Sequence, residues 1–302
     1  MSRQPVTFTF DLEDHRPTGV DFDTRYPGLT RQVLAQLETH GIAGTFFVLG
    51  RIAEDDPELI REIADMGHEI ALHSWDHTPL PELTPERFRD ETVRGKKLLE
   101  DLTGAAVEGY RAPVFSLVPK SGWAPEVLAE LGFSYSSSVL PAWNPLYGWP
   151  DAPATPFLWP SGLVELPCPV QRMGTESHAV ALPYLGGVYA RVLPLRMTGL
   201  LLTRQTSGNR PSSKREPQAP WMYAHPYDFD VGEPYWQVPE LGPLGSRLLW
   251  LNRKRMPQRI TDLVAPNPGP PLRLVADRLA GTLPVFSGDS RTTDSPGSGE
   301  MQ

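Results

Sequence analysis

The chain has 302 residues, 40% of them apolar and 21% charged, which allows one large domain or two small ones with a sizeable core. Its formal net charge of -8 at pH 7 argues against nucleic acid or an anionic membrane as the main partner. The single cysteine, Cys168, excludes an internal disulfide and a cysteine-based zinc cluster, and we expect it to be a small buried apolar residue.

Strands and helices are predicted to alternate over the first 139 residues. In chain order we expect a strand at 6–11, a helix at 28–41, a strand at 43–50, a helix at 56–67, a strand at 68–72, a helix at 84–104, a strand at 107–113, a helix at 124–132 and a strand at 133–139. The helices have apolar residues at helical spacing, with capping residues before them and glycines after them. Such alternation favours a parallel sheet or barrel.

The pattern is looser after residue 139. Residues 141–160 are rich in Trp, Tyr and Pro and form either a platform for a sugar or a simple cover over the barrel mouth. Residues 245–265 predict a basic amphipathic helix or helix pair, which either contacts an acidic partner or faces solvent. We further expect strands at 163–170 and 221–226, a flexible loop at 205–220, and a chain divided into a domain at 1–265 and a C-terminal extension at 266–302, largely disordered from about 287.

Two stretches of the sequence, the N-terminus and residues 192–202, bear on localisation. The N-terminus enters a strand at once, without the apolar segment and small-residue cleavage site of a secretory signal. The most apolar later stretch, 192–202, contains Pro194 and Arg196 and is too short to span a bilayer. We therefore expect a soluble, cytoplasmic protein.

Four predicted strands are followed directly by polar residues that can take part in chemistry. These residues are Asp11, Glu13, Asp14, His73, His77, Arg111 and His225. In α/β folds the C-terminal ends of parallel strands meet on one face, where ligands and catalytic groups gather. The sequence therefore predicts that these side chains converge on one pocket.

The two histidines of HSWDH suggest a metal site. His73 and His77 are four residues apart, so both imidazoles can reach one cation from one face of a helical turn. Two histidines and one carboxylate are a common ligand set for a hydrolytic zinc ion. The acids at 11–14 would repel one another when buried, and a cation relieves this while leaving one acid free as a base. The alternatives are surface or capping histidines and a solvated acidic turn.

Arg111 and His225 are candidates for supporting roles. The Arg111 guanidinium can pair with a carboxylate and hold its rotamer and protonation state, although an ordinary surface arginine is the alternative. His225 is a candidate general acid because imidazole titrates near neutral pH, although lone histidines are more often structural.

Together these segments resemble the polysaccharide deacetylase superfamily, carbohydrate esterases that remove N-acetyl groups. The resemblance covers most of 5–265 and rests on TFTFDLED, HSWDH, RAP at 111–113 and His225-Pro226, which occur in the family's order. The stretch GTFFVLG and the segment PELIREIADMG between the first two motifs are similar as well. The FDLED form, FSYSSSV and HPYDFDVGEP resemble the branch associated with exopolysaccharide and exosortase loci.

The resemblance implies a deformed (β/α) barrel of about seven parallel strands, with a metal site at their C-terminal ends. It implies Asp11 as the catalytic base, Arg111 as the residue that orients this base, His225 as the general acid and the Val114 amide as a donor to the oxyanion. It also implies a divalent cation, with zinc as the first expectation and cobalt or manganese as alternatives.

The expected metal ligands are Asp14, His73 and His77, with Glu13 as the alternative acid. The identity of the third ligand is open. The family's shorter motif has two adjacent acids, whereas here Asp11 and Asp14 are three positions apart and Glu13 lies between them. A second departure is that the strand at 133–139 lacks the family's fourth-motif aspartate, which supports the acid histidine.

The resemblance implies a metal-dependent hydrolase of carbon–nitrogen bonds other than peptide bonds. We expect it to remove N-acetyl groups from an amino-sugar glycan or its precursor, with no nucleic acid partner. The alternatives are an amidohydrolase acting on a small cyclic amide and a non-catalytic glycan-binding protein on the same fold.

Overall fold

The computed structural model describes residues 4–16, 24–173, 180–204 and 219–288. The strands are β1 (Thr7–Leu12), β2 (Thr45–Val48), β3 (Glu69–Leu72), β4 (Gly109–Tyr110), β5 (Tyr135–Ser136), β6 (Phe157–Leu158), β7 (Val164–Glu165), β8 (Val170–Met173), β9 (Val180–Pro183) and β10 (Trp221–Ala224). The helices are α1 (Tyr26–Thr39), α2 (Gly50–Asp55), α3 (Pro57–Asp65), α4 (Pro85–Thr103), α5 (Ala124–Glu130), α6 (Gly187–Val192), α7 (Leu195–Arg204), α8 (Gly242–Trp250), α9 (Met256–Arg259) and α10 (Leu272–Leu279).

Eight of the described strands form one sheet in the order β10-β1-β2-β3-β4-β5-β7-β6. Neighbouring strands run parallel except for the antiparallel pair β6 and β7. Strands β8 and β9 form a separate antiparallel pair. This topology, with helices between successive parallel strands, confirms the predicted deformed (β/α) barrel.

Strand β1 lies inside the sheet and is buried along its whole length. It pairs with β10 on one edge and with β2 on the other, and the burial of all six of its residues shows that both of its faces are covered. Phe10, for example, packs 5.3 Å from the ring of Phe46. This placement sets Asp11 at the C-terminal edge of the sheet, one strand in from β10 and in register with Phe47.

The predicted helices of the first half are present, and their ends follow the capping signals. The Asp56 side chain accepts a hydrogen bond from the Leu59 amide, and the Thr84 side chain accepts one from the Arg87 amide. Helix α4 ends at Gly104, which has a φ of 67°.

The predicted strand at 133–139 is shorter than expected, because β5 ends at Ser136. The amides of Ser138 and Val139 donate to the Glu165 carboxylate at 2.7 and 3.0 Å instead of continuing a strand ladder. Short polar side chains and a buried carboxylate thus compete with the sheet for these backbone groups.

Several features of the second half were not predicted. They include the β8–β9 pair, α6, α7 and α10. The basic segment at 245–265 is a helix pair, because Asn252 adopts a left-handed φ of 57° and interrupts the helix between α8 and α9. Most of the predicted loop at 205–220 and of the tail at 287–302 lies outside the described residues.

The C-terminal segment packs on the domain at least as far as residue 285. Leu272 and Ala276 of α10 are buried in one cluster with Phe47 and Tyr135, and Val285 forms a bridge with Leu158. None of the described helices is long and apolar enough to cross a membrane.

The aromatic segment and the cysteine lie largely inside the molecule. Trp149 and Trp159 are buried and pack with Phe286, whereas Trp143 is exposed. Cys168 is buried, as expected, and burial raises the pKa of its thiol to about 12.

Candidate active site

An aspartate–arginine pair lies at the C-terminal edge of the sheet. Asp11 Oδ1 accepts a hydrogen bond from Arg111 Nη1 at 2.5 Å, and both side chains are buried. The same guanidinium donates to Thr9 Oγ1 and to Ser137 Oγ, and it stacks 3.9 Å from the centroid of the Phe47 ring. These contacts fix Arg111 in one orientation, so it holds Asp11 in place. The predicted pairing of Arg111 with a carboxylate is therefore what the structure shows.

In the part of the chain that the structure describes, Glu13, His73 and His77 form a cluster that could hold a metal ion. One atom from each lies within 4.8 Å of the other two. Glu13 Oε2 is 2.5 Å from His77 Nε2 and 3.5 Å from His73 Nε2. Ligand atoms about 2.1 Å from a tetrahedral zinc ion are separated by roughly 3.4 Å, so only small shifts are required.

The placement of Asp14 as the acid beside the two histidines is wrong in the structure. Its carboxylate accepts three hydrogen bonds from Arg16, including one from Nε at 2.8 Å. Because successive side chains of an extended chain point to opposite sides, Glu13 lies on the same side as Asp11 and Asp14 turns away. Glu13, the alternative acid, occupies the position beside His73 and His77.

Hydrogen bonds orient both histidines. His73 Nδ1 donates to the Arg111 carbonyl at 2.8 Å, so its Nε2 lone pair faces the cluster. The backbone turn at HSWDH places His77 with a φ of 68°, and the His77 amide donates to Ser74 Oγ. Ser74 also has a positive φ of 69°. This strained turn aims both imidazoles at Glu13.

His225 follows β10 and faces the two acids from the opposite side. Its Nε2 lies 3.8 Å from Asp11 Oδ2 and 3.9 Å from Glu13 Oε1. Its Nδ1 and its backbone amide both bond Asp228 Oδ2 at 2.9 Å. The ring of Tyr227 stacks on the imidazole at 4.6 Å, so three contacts fix the orientation of His225.

A buried arginine supports this aspartate. Arg191 Nε lies 2.9 Å from Asp228 Oδ1 as an ion pair, although the two atoms are not aligned for a hydrogen bond. Arg191 Nη1 donates to the carbonyls of Leu249 and Leu251. Burial opposes ionisation of Asp228, but the charge of Arg191 and the bonds from His225 outweigh it and lower the pKa of Asp228.

In the absence of a cation, the electrostatics of the site favour an ionised Glu13 and protonated forms of His77 and His225. Burial works against the charge on Glu13, but attraction to His77 and hydrogen bonds from both histidines hold its pKa well below the usual range. Burial likewise opposes protonation of His225, but the bond to Asp228 and the charges of Glu13 and Asp11 raise its pKa to about 9. His225 is therefore protonated at neutral pH, as a general acid must be.

The predicted oxyanion donor lies in a second strained turn. Val114 has a φ of 48° and Phe115 one of 53°, which are rare values for a β-branched and an aromatic residue. Among the described residues, no acceptor bonds the Val114 amide. The N–H is therefore available to a ligand. Strain of this kind is maintained where the surrounding structure requires it, often at functional sites.

Asp228 and Arg191 were not identified from the sequence. The signal for Asp228 was available, because an acid three residues after His225 can reach back to the His225 amide as in a capping box. Arg191 left no such signal, since its partner lies 37 positions away in the chain, a separation that no local pattern spans.

Comparison with known proteins agrees with this geometry. Residues 4–135 match the family model described as polysaccharide deacetylase, and residues 137–267 match a domain of unknown function, DUF3473. A peptidoglycan-N-acetylglucosamine deacetylase of Bacillus cereus is 31% identical over 126 residues, which cover 41% of this chain and 42% of the relative. A peptidoglycan-N-acetylmuramic acid deacetylase of Bacillus subtilis is 34% identical over 110 residues, which cover 36% of this chain and 40% of the relative.

The chain therefore spans less than half the length of these two relatives. Among solved structures, a candidate polysaccharide deacetylase from Mycobacterium smegmatis aligns over 97% of this chain and 94% of its own, with 24% identity and a TM-score of 0.58. This likeness shows that the two proteins share a fold. The N-terminal motifs and the strand order agree with the family match, so the likeness to polysaccharide deacetylases is shown for residues 4–135, which are fewer than half of the chain.

Proposed function

We propose that this protein is a metal-dependent deacetylase that hydrolyses the N-acetyl amide of an amino-sugar glycan or its precursor. The observation that carries the proposal is the joint placement of Glu13, His73 and His77 beside the Asp11–Arg111 pair, with His225 opposite. The two relatives named as deacetylases of peptidoglycan sugars support an acetylated glycan as the substrate class.

The residues at the site fit a divalent cation, with zinc as our first choice. Glu13, His73 and His77 would hold it, because they offer one carboxylate oxygen and two imidazole nitrogens on one side of the pocket. The Nδ1 bond of His73 to a backbone carbonyl is the support that metal-binding histidines usually have. A cation here would polarise water and the acetamide carbonyl.

Asp11 is the proposed base. Arg111 holds its Oδ1, which leaves Oδ2 directed toward the space between His225 and the metal-binding cluster. Oδ2 can therefore accept a proton from a water molecule that attacks the amide carbon. Arg111 prevents this carboxylate from rotating away.

His225 and Val114 are proposed to act on the other atoms of the amide. Protonated Nε2 of His225 donates to the departing nitrogen, which would otherwise leave as an unstable amide anion. The Val114 N–H donates to the carbonyl oxygen as negative charge develops on it. Asp228 holds His225 in the required orientation through Nδ1.

The test is acetate release from N-acetylglucosamine oligomers, compared with turnover of cyclic ureides. We expect release from the oligomers, loss of release in the presence of a chelator and recovery on addition of zinc, cobalt or manganese. Undiminished release in chelator would remove the cation from the mechanism. Turnover of cyclic ureides without acetate release would replace the glycan with a small cyclic amide as substrate.

A further inference from the structure

Two segments of this acidic protein carry only positive charge. Residues 187–204 and 242–259 contain eight arginines and lysines and no aspartate or glutamate, although the whole chain has a net charge of -8. Among the side chains that the structure describes in these segments, the exposed cations are Arg196, Arg247, Lys254 and Arg255. Net charge therefore does not describe this part of the surface.

The two segments are adjacent in space. Arg191 of the first segment donates to the carbonyls of Leu249 and Leu251 in the second, and Arg255 contacts the Arg191 carbonyl. Arg259 Nη2 donates to the Leu193 carbonyl. We call the exposed residues of 187–204 and 242–259 the basic face.

The basic face also exposes a set of aliphatic side chains. Leu244, Leu248 and Leu251 follow one another at four and three residues along α8 and its end, so they share one side of the helix. The first segment adds three more exposed side chains, Val192, Met197 and Leu200. Helices that lie on membrane surfaces typically combine exposed aliphatic side chains with exposed cations.

A cleft of about 500 Å³ lies where the two segments meet. Val192, Pro194 and Leu195 form one wall, and Arg255 and Arg259 contribute two cations to the other. Arg259 is only 6% exposed, and its Nε has no hydrogen-bond acceptor among the described residues. Asp262 also lines the cleft, so one acid faces two arginines there. The cleft thus retains unused capacity for an anion such as a phosphate group.

We propose that the basic face docks on an anionic lipid bilayer, with a lipid phosphate seated between Arg255 and Arg259. The cations complement the negative surface of such a bilayer, and the aliphatic side chains can enter its interface. A protein partner is a poorer match, because protein interfaces rely on aromatic anchors and the side chains counted here are aliphatic. The buried Arg191 links this face to Asp228, which places the proposed deacetylase site next to the bilayer.

The test is flotation of the full chain with vesicles of phosphatidylglycerol and phosphatidylcholine, compared with pure phosphatidylcholine. We expect binding only to the anionic vesicles and a decrease in binding as salt is raised. Neutralising Lys254→Gln together with Arg255→Gln should weaken binding roughly 25-fold, about fivefold for each cation. Leu244→Ser with Leu248→Ser should weaken it as well, because apolar insertion is lost.

Matched controls lie on other surfaces. Arg61→Gln neutralises an exposed cation, and Val93→Ser removes an exposed aliphatic side chain, so neither should change vesicle binding. Equal binding to neutral vesicles would overturn the proposal, as would an effect of Arg61→Gln as large as that of either basic-face cation. Two further results would overturn it, each in the absence of vesicle binding. One is self-association of the chain through Leu244 and Leu248, and the other is binding of inorganic phosphate. Vesicle binding is measured without substrate, so its result is independent of the proposed activity.

Discussion

The choice between Glu13 and Asp14 depends on one property of extended chains. Side chains at i and i+2 of a strand share a side, and Glu13, one residue beyond the end of β1, keeps this alternation and lies on the same side as Asp11. Asp14 then faces the opposite side, where Arg16 binds it. The sequence contained this information, but the adjacent acids in the family's motif favoured Asp14.

Replacing each acid by its amide separates the two assignments. Glu13→Gln should abolish tight binding of one metal ion and reduce acetate release by at least about 100-fold, because a neutral amide is a weak ligand. Asp14→Asn is the matched control and should retain one bound metal per chain. Elemental analysis of the two purified variants checks this. Loss of metal from Asp14→Asn and not from Glu13→Gln would restore the original assignment.

The pKa of His225 should set the alkaline limit of activity. A raised pKa of about 9 means that the acid form persists as the pH rises and is lost only above that value. Asp228→Asn removes the charge that opposes the effect of burial, so the pKa of His225 should fall and the alkaline limb should move to lower pH. The pH profile of kcat for acetate release measures this shift.

Asp230→Asn is the control for this experiment. Asp230 lies two residues further along and pairs with Arg25 instead of His225. The alkaline limb of the pH profile of the Asp230→Asn variant should coincide with that of the unmodified protein. An unmoved limb in Asp228→Asn would show that Asp228 does not set the protonation of His225.

At β4 and β5, one glycine permits close packing inside the barrel. Gly109 pairs with Tyr135, and a Cβ at Gly109 would overlap the phenol ring, whose hydroxyl donates to Glu69. Gly109→Ala should therefore lower the free energy of unfolding by about 1–3 kcal/mol. Gly28→Ala in α1, where nothing lies within 4 Å, should leave stability unchanged or raise it by up to about 1 kcal/mol. Denaturant unfolding of both variants gives the comparison.

The regular elements of the first half could be predicted because their signals are local. Asp56 and Thr84 cap helices within three residues of themselves, and the apolar run of β1 requires no partner to be recognised. The second half depends on distant contacts instead. The amides of Ser138 and Val139 donate to the Glu165 carboxylate, which no local pattern reveals. In the same way, local motifs identified the site residues that the sequence predicts, whereas Arg191 is recognised only by its contact with the distant Asp228.

For the molecule as a whole, the C-terminal segment at 266–302 is the part that the sequence predicts to lie outside the domain. The amides of Leu272 and Arg273 donate to Thr45 Oγ1 and to the Glu69 carboxylate, which lie at the N-terminal ends of β2 and β3. Helix α10 therefore attaches at the end of the barrel opposite to the catalytic residues. If these contacts are integral to the fold, α10 should unfold together with the barrel.

Two leucines of α10 provide the test. Leu272 is fully buried, so Leu272→Ala should lower the free energy of unfolding of the entire domain by about 2–5 kcal/mol in a single transition. Leu274 on the same helix is 37% exposed, and Leu274→Ala should change it by no more than about 0.5 kcal/mol. Denaturant unfolding followed by fluorescence and by circular dichroism reports the transition. If Leu272→Ala left the main transition in place, residues 266–288 would be an appendage that the barrel does not need.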